Sequence, residues 1–425
     1  MDCCGSCGSS FEVENRAENG APLGTSAKSQ AIVDFKGIFD TEKKEFIDQE
    51  TGEFFKLRVS RSGYVESVVR DPVSIRIERY ALQSVVRSLL YGSRTVRCLR
   101  VRQGGRDSVN VFRSLEHGSA SYGGLQTCGS VWACPVCAAK ISERRRVELQ
   151  QAIEAWKATG GAVVLLTLTH PHTKDDPLLD LLVAEQKALT RFFDTRSGKA
   201  LMVNMGRVGH IRAWEVTHGR QREINNGWHP HFHILLFLDR ERSRTELKTL
   251  ECRAFEVWAN ACRLSGLDKP SREHGVTIEN GSKAAAYASK WGLENEMTKG
   301  HIKRALAGET PFDLLRAVLE DKKDDQARSL FREYAHAFKG KRQLVWSRGL
   351  RDLFNLGDAS SDEELATTLE NDAELLGSLD PDQWRAVLKH DFRAELLELA
   401  RHGWEPVQRM LDGLMGNQRI RGGIP

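Results

Sequence analysis

Apolar positions change period along the chain, and the changes mark out its elements. Residues 161 to 170 read GAVVLLTLTH, a β-branched apolar run that Pro171 keeps from continuing as helix, so it predicts a buried strand. IRAWEVTH, ending at His218, predicts a second strand, and the turn-rich GRQREINNG separates it from a third, HPHFHILLFL. The last two predict an antiparallel hairpin with a long loop. ISERRRVELQQAIEAWKATG reads as an amphipathic helix closed by Gly160 and Gly161. SRTELKTLECRAFEVWANACRLSG predicts another helix, GVTIEN a short strand, and GSKAAAYASKWGLE a further helix. Past about Gly340 the chain turns helical and acidic. There Ser361 and Glu364 form a capping box, and Asp380 followed by Pro381 opens a helix. This order predicts an α+β fold, with a central antiparallel sheet flanked by helices.

A chain of 425 residues has room for two or three domains. Residues 1–30, rich in glycine and serine, are expected to be disordered, and 31–93 form an accessory region to which the pattern assigns no role. A basic module is expected over 94–145, the main domain over 146–340, and an acidic helical region over 341–425. No run approaches the roughly 18 apolar residues of a membrane span, and the N-terminus lacks the basic and apolar segments of a secretion signal. The expectation is a cytoplasmic protein with no membrane partner.

The formal net charge of +4 hides a strong asymmetry. Between Arg94 and Arg146 there are ten Lys or Arg against three acids, whereas Asp358 to Asp382 holds nine acids and no base. The basic stretch suits a polyanion such as nucleic acid, although a solvated face would look similar. The acidic stretch argues against the tail wrapping DNA.

Nine cysteines with close spacing suggest metal rather than disulfides in a cytosolic chain. Cys134 and Cys137 form a CxxC knuckle able to grip a tetrahedral zinc, and Cys128 and Cys98 complete the proposed structural site. His117 is the rival for the more distant ligand. Cys252 and Cys262 lie in a helical pattern and are expected in a core; Cys3, Cys4 and Cys7 sit in the glycine- and serine-rich terminus.

On a strand, residues two apart share a face, so His229, His231 and His233 point one way while Phe232 and Ile234 point the other. Three imidazoles facing an apolar core would leave ring nitrogens unsatisfied, so a metal is the better reading. A hairpin centred near Glu223 pairs residues whose numbers sum to about 446, placing Glu215 opposite His231. Two imidazoles and a carboxylate leave open positions on a divalent ion, and mixed nitrogen and oxygen ligation suits Mg or Mn.

HFHILL resembles the HUH motif of rolling-circle replication initiators, relaxases and related single-strand DNA endonucleases. Upstream LLTLTH resembles the first motif of plasmid replication initiators, and downstream KAAAYASK resembles their third, a tyrosine followed three residues later by lysine. CGSVWACPVCAAKISERRR resembles the cysteine segment before the core in one branch, and QLVWSRGLR a later segment of that branch. The resemblance implies that Tyr287, with Lys290 one helical turn on, attacks a phosphate of single-stranded or hairpin origin DNA. The products would be a 5′-phosphotyrosine and a free 3′-hydroxyl primer, and a later transfer would rejoin the displaced strand. It also implies a bacterial plasmid setting, with host helicase and polymerase as further partners, and leaves oligomerisation open. His231, His233 and Glu215 would hold the catalytic ion, with His229, Glu279 and His170 in supporting positions. One departure is Lys283, four residues before the tyrosine, where some relatives carry a glutamate for termination.

Three rivals remain open on sequence. A transposase or mobilisation relaxase would share the nicking chemistry, and HPHFHIL also matches the alternation of histidine triad nucleotide hydrolases. A zinc-dependent DNA-binding regulator would use the histidines only for its core.

Overall fold

The computed structural model describes residues 72–281, Ala284, 308–367 and 373–421, with short strands between Gly37 and Glu66. Tyr287, Lys290 and Lys283, and the cysteines Cys3, Cys4 and Cys7, lie outside the described residues. In chain order, β1 (Gly37–Asp40), β2 (Glu45–Asp48) and β3 (Phe54–Lys56) form one small antiparallel sheet, and β4 (Arg58–Val59) pairs with β5 (Val65–Glu66). Helix α1 (Pro72–Leu89) follows, then a 3-10 turn over Arg94–Arg97 and the strands β6 (Val109–Ser114) and β7 (Ala120–Gly123). Helix α2 (Pro135–Ala158) leads into β8 (Ala162–Leu168), α3 (Leu178–Asp194) and α4 (Arg196–Asn204). The expected hairpin is β9 (Arg207–His218) with β10 (Trp228–Leu238).

After the hairpin come α5 (Arg244–Leu264), β11 (Val276–Glu279), α6 (Pro311–Glu320), α7 (Asp325–Ala337) and β12 (Leu344–Trp346). The chain ends through α8 (Leu350–Leu353), α9 (Asp362–Thr367), β13 (Ala373–Leu379), α10 (Pro381–His390), α11 (Arg393–Ala400) and α12 (Trp404–Arg421). Helices begin at both expected places near the C-terminus, and each start carries a capping box. Ser361 and Glu364 bond reciprocally, and so do Asp380 and Gln383.

The main sheet is antiparallel throughout, in the order β11-β8-β10-β9-β12. One face, carrying Leu166, Leu168, Trp214, Phe232 and Ile234, packs into a core shared with α1, α3, α5, α6 and α7. The other face is covered only in part. Leu149, Ala152 and Ile153 of α2 pack on Val163, Leu165, Leu235 and Phe237, and among the described residues this helix does not reach the N-terminal half of β10. Burial along β10 therefore alternates through His233 and is complete from Ile234 onward. This is why the strand reads polar and apolar by turns and then purely apolar.

A second core is built around the cysteines. Sheet β13-β6-β7 packs with Tyr80 of α1 and with Trp384, Val387, Leu396, Leu397, Val407 and Leu411 of the C-terminal helices. The C-terminal region is helical as expected, and between its helices the structure adds a strand in register with β6, from Ala373 opposite Ser114 to Leu379 opposite Val109. The reason is partly electrostatic. The acidic run neutralises the basic module, with Asp362 on Arg145, Glu363 on Arg94 and Glu374 on Arg113. The stretch 31–93, given no role from sequence, supplies α1, whose Leu82, Val86 and Leu89 enter the main core.

Candidate active site and cysteine centre

Pairing of β9 with β10 places Glu215 directly opposite His231. The Nε2 atoms of His231 and His233 lie 3.5 and 3.4 Å from Glu215 Oε2, and all three donors fall within 4.8 Å of one another. The site lies on the half of this face that α2 does not reach. Side-chain exposure is 13% for His231, 17% for His233 and 39% for Glu215, so the two imidazoles are largely buried and the carboxylate is half-buried.

The imidazoles are oriented from behind. His231 Nδ1 lies 3.2 Å from the His229 carbonyl, which can only accept, so Nδ1 carries the proton and Nε2 keeps its lone pair. Thr167 of β8, directly opposite His233, places Oγ1 2.9 Å from its Nδ1. Burial opposes ionisation of Glu215, but His233 and His231 outweigh it and hold the carboxyl well below its usual range. Ligand arms of about 2.1 Å give edges of about 3.0 Å in an octahedron and about 3.4 Å in a tetrahedron. The donor set therefore fits one shared divalent ion.

His229 shares this face but stands outside the three-donor cluster. Its Nδ1 meets Nε2 of His172 at 2.7 Å, and His172 Nδ1 meets the Asn226 carbonyl at 2.7 Å. Read from the carbonyl outward, His172 donates to Asn226 and accepts from His229, so a neutral His229 keeps its free lone pair on Nε2. Burial first, then His231 and His172, pushes His229 down to about 2. The two loops can meet because Gly227 has φ +76° and a Cβ there would lie 2.7 Å from Thr173 O. Sequence reasoning missed His172 and Thr167. A usable signal for His172 was present: His170-Pro171-His172 repeats the tripeptide His229-Pro230-His231.

The other expected supporting residues lie elsewhere. Glu279 shares the sheet face but sits opposite Leu165, two residues along β8 from Thr167 and on the far side of it from β10. His170 is buried against Glu185 of α3, 3.8 Å from it. Ala284, three residues before Tyr287, is fully buried in the core beneath α2 on this same face.

In the second core, Cys98, Cys128, Cys134 and Cys137 are buried and unoxidised, with all four sulfurs within 4.8 Å of one another. Sulfur separations of 3.4 Å (Cys98–Cys137), 3.7 Å (Cys128–Cys137) and 3.8 Å (Cys98–Cys134) compare with the roughly 3.8 Å edge of a tetrahedron with 2.3 Å arms. Gln83 Nε2 donates to Cys134 Sγ at 3.4 Å. Burial works against a Cys134 thiolate, but hydrogen bonds from the three neighbouring thiols draw this group well below the usual thiol range. The four cysteines thus form a site able to hold a metal such as zinc. His117, the rival ligand, is exposed beside Glu116 instead. Cys262 is buried as expected, but Cys252 is exposed.

A family described as replication proteins matches residues 124–395, well over half of the chain. The chain belongs to this replication-protein family. The matched span of the replication protein holds Cys128, Cys134, Cys137, Glu215, His231 and His233, and reaches past Arg393 at the start of α11; Cys98 lies before it. The "Protein rep" of Streptomyces lividans is 29% identical over 348 residues, covering 65% of this chain and 75% of its own length. A "Neomycin resistance protein" of Streptomyces cyanogenus is 30% identical over 159 residues, 31% of this chain and 35% of that protein. No solved structure matches the chain significantly. Among the described residues no helix is long and apolar enough to cross a membrane.

Proposed function

We propose that this replication protein initiates rolling-circle replication of a plasmid by nicking single-stranded origin DNA. The observation that carries the reading is the convergence of Glu215, His231 and His233 on one face of the sheet in a chain of this family. Those three side chains would hold a Mg or Mn ion, which supplies charge stabilisation at the scissile phosphate. Thr167 and the His229 carbonyl keep the two Nε2 lone pairs directed outward. Tyr287 loses its phenolic proton and attacks phosphorus; the P–O3′ bond breaks, the leaving oxygen takes a proton as the 3′-hydroxyl, and the 5′-phosphate stays on the tyrosine. A phenol of ordinary pKa near 10 needs help to ionise, and Lys290, one helical turn from it, is the proposed source of local positive charge. The four cysteines hold a structural zinc that contributes to folding and not to chemistry.

The test is covalent capture. Labelled single strands tiling the replicon that encodes the chain are incubated with Mn, and adducts are resolved under denaturing conditions. Wild type is expected to give one adduct and one 3′-hydroxyl fragment; Tyr287→Phe should abolish the adduct, and His231→Ala with His233→Ala should lower it at least a hundredfold. Adduct formation that survives Tyr287→Phe would remove the tyrosine from its role, and phosphate trapped on His231 instead would favour a histidine triad hydrolase.

A further inference from the structure

Away from the sheet, α1, the 3-10 turn and α10 enclose a cleft of about 390 Å3 lined by Arg87, Arg97, Arg100, Arg385 and Lys389 over an apolar floor of Val96, Val101 and Leu388. Its cations come from both ends of the sequence. Arg385 and Lys389 stand four residues apart on one helix face and follow directly after the acidic run.

Pairing inside the chain sorts the basic residues. Arg94, Arg113 and Arg145 are taken by Glu363, Glu374 and Asp362; Arg102 is taken by the backbone carbonyls of Arg106 and Asp107, and Arg146 by Glu143. In the cleft, Arg100 is braced by Asp391 and Arg385 by Asp382. Among the described residues Arg87, Arg97 and Lys389 have no carboxylate partner. The acidic segment therefore neutralises one side of the basic module and leaves this cleft with a surplus of positive charge. The expectation that the C-terminal region stays clear of DNA does not extend to α10.

We propose that this cleft is a DNA-backbone site in which Arg87, Arg97 and Lys389 meet phosphodiester oxygens and the apolar floor takes a sugar or base edge. Cations spread over three elements suit a polyanion better than a single small anion, and guanidinium forks match phosphate geometry. The aliphatic floor gives van der Waals contact to a sugar or base edge without reading sequence. Such a site anchors DNA at the cysteine module while the sheet site acts on it. The proposal rests on the reading that the chain acts on DNA, but not on the nicking residues.

The test uses the full chain, with fluorescence anisotropy on a fluorescein-labelled mixed-sequence 30-nucleotide strand and on its duplex. Arg97→Ala with Lys389→Ala should weaken binding at least tenfold at fixed salt and flatten the slope of log affinity against log salt by about 1.4 for single strand or about 1.8 for duplex. The arm that shows the loss names the form of DNA held. Arg97→Lys with Lys389→Arg should restore affinity. Removing the same charge elsewhere, by Lys322→Ala with Lys323→Ala, should do much less. Equal loss in the two double variants, or weakened binding with an unchanged salt slope, would overturn the site. Crosslinking from bromodeoxyuridine DNA, followed by peptide mapping, checks wild type independently: adducts in residues 94–101 or 381–390 support the cleft, and adducts confined elsewhere refute it. Repeating the anisotropy in His231→Ala chains separates the two readings, because the cleft's effect should persist where nicking is lost.

Discussion

At the residue scale the least expected group is Glu185. It is fully buried, Trp214 Nε1 donates to its Oε2 at 2.8 Å, and its Oε1 faces His170 Nε2 with no hydrogen-bond partner. His170 must donate from Nδ1 to the Pro171 carbonyl, so its Nε2 is an acceptor. Two acceptors face each other, and the pair is comfortable only while the carboxyl keeps its proton. Burial lifts Glu185 to about 7 against a lesser lowering by the Trp214 hydrogen bond, and burial drops His170 to about 4. A carboxyl raised in the folded state stabilises fully below its ordinary value of 4.5, and that contribution is lost as pH rises toward 7. Glu185→Gln keeps an acceptor for Trp214 and offers His170 an amide donor. Chemical denaturation should show the variant gaining on wild type as pH rises from 5 to 8, by about 2–3 kcal/mol. A difference that stays flat over this range would mean the carboxyl is not raised.

At the element scale, strand register does the selecting. Placing His231 opposite Glu215 and His233 opposite Thr167 gives one imidazole a carboxylate across the hairpin and the other a hydroxyl behind it. Thr167→Val keeps the branched shape and removes only the hydroxyl. Mn affinity read by EPR titration should fall about 10- to 100-fold with the secondary structure unchanged; an unchanged affinity would show that Thr167 does not orient His233. This level also explains what the sequence could reveal. Alternation along β10 and the turn-rich loop after His218 are local, so the hairpin and its facing carboxylate were legible. His172 reaches His229 through contact between two loops at Gly227, and β13 reaches β6 across more than 250 residues of chain. No periodicity within a window carries either contact. Ala-Glu-Leu-Leu-Gly-Ser-Leu in β13 has no strict alternation of burial and sits between helices, so only its pairing with β6 makes it a strand.

At the scale of the whole molecule, the main core and the cysteine core meet along two helices, α1 and α2. The main core packs one face of the sheet, a smaller core beneath α2 packs part of the face that carries the donors, and the second core binds the cysteine centre to the chain's last three helices; α1 enters the main and second cores through Leu82 and Tyr80, and α2 through Ala138 and Ile141. Their junction is dense in polar contacts. Fully buried Arg393 bonds Asp391, the Gln83 side chain and the Ser84 hydroxyl, and Gln83 in turn donates to Cys134. Trp384 of α10 seals the second core from the other side, meeting Tyr122 edge to face at 5.2 Å and donating from Nε1 to the Arg100 carbonyl at 2.8 Å. Trp384→Ala should cost about 3–5 kcal/mol, the usual loss for a buried tryptophan. Because the donors at Glu215, His231 and His233 lie on a sheet outside this second core, the damage should be local. Hydrogen exchange is expected to quicken at the β6 and β13 amides and zinc to leave more readily on dialysis, while the β9 and β10 amides and Mn affinity hold. Uniform loss of protection through both sheets would instead mean that the two cores unfold as one, and that the cysteine module and the main sheet form a single cooperative unit.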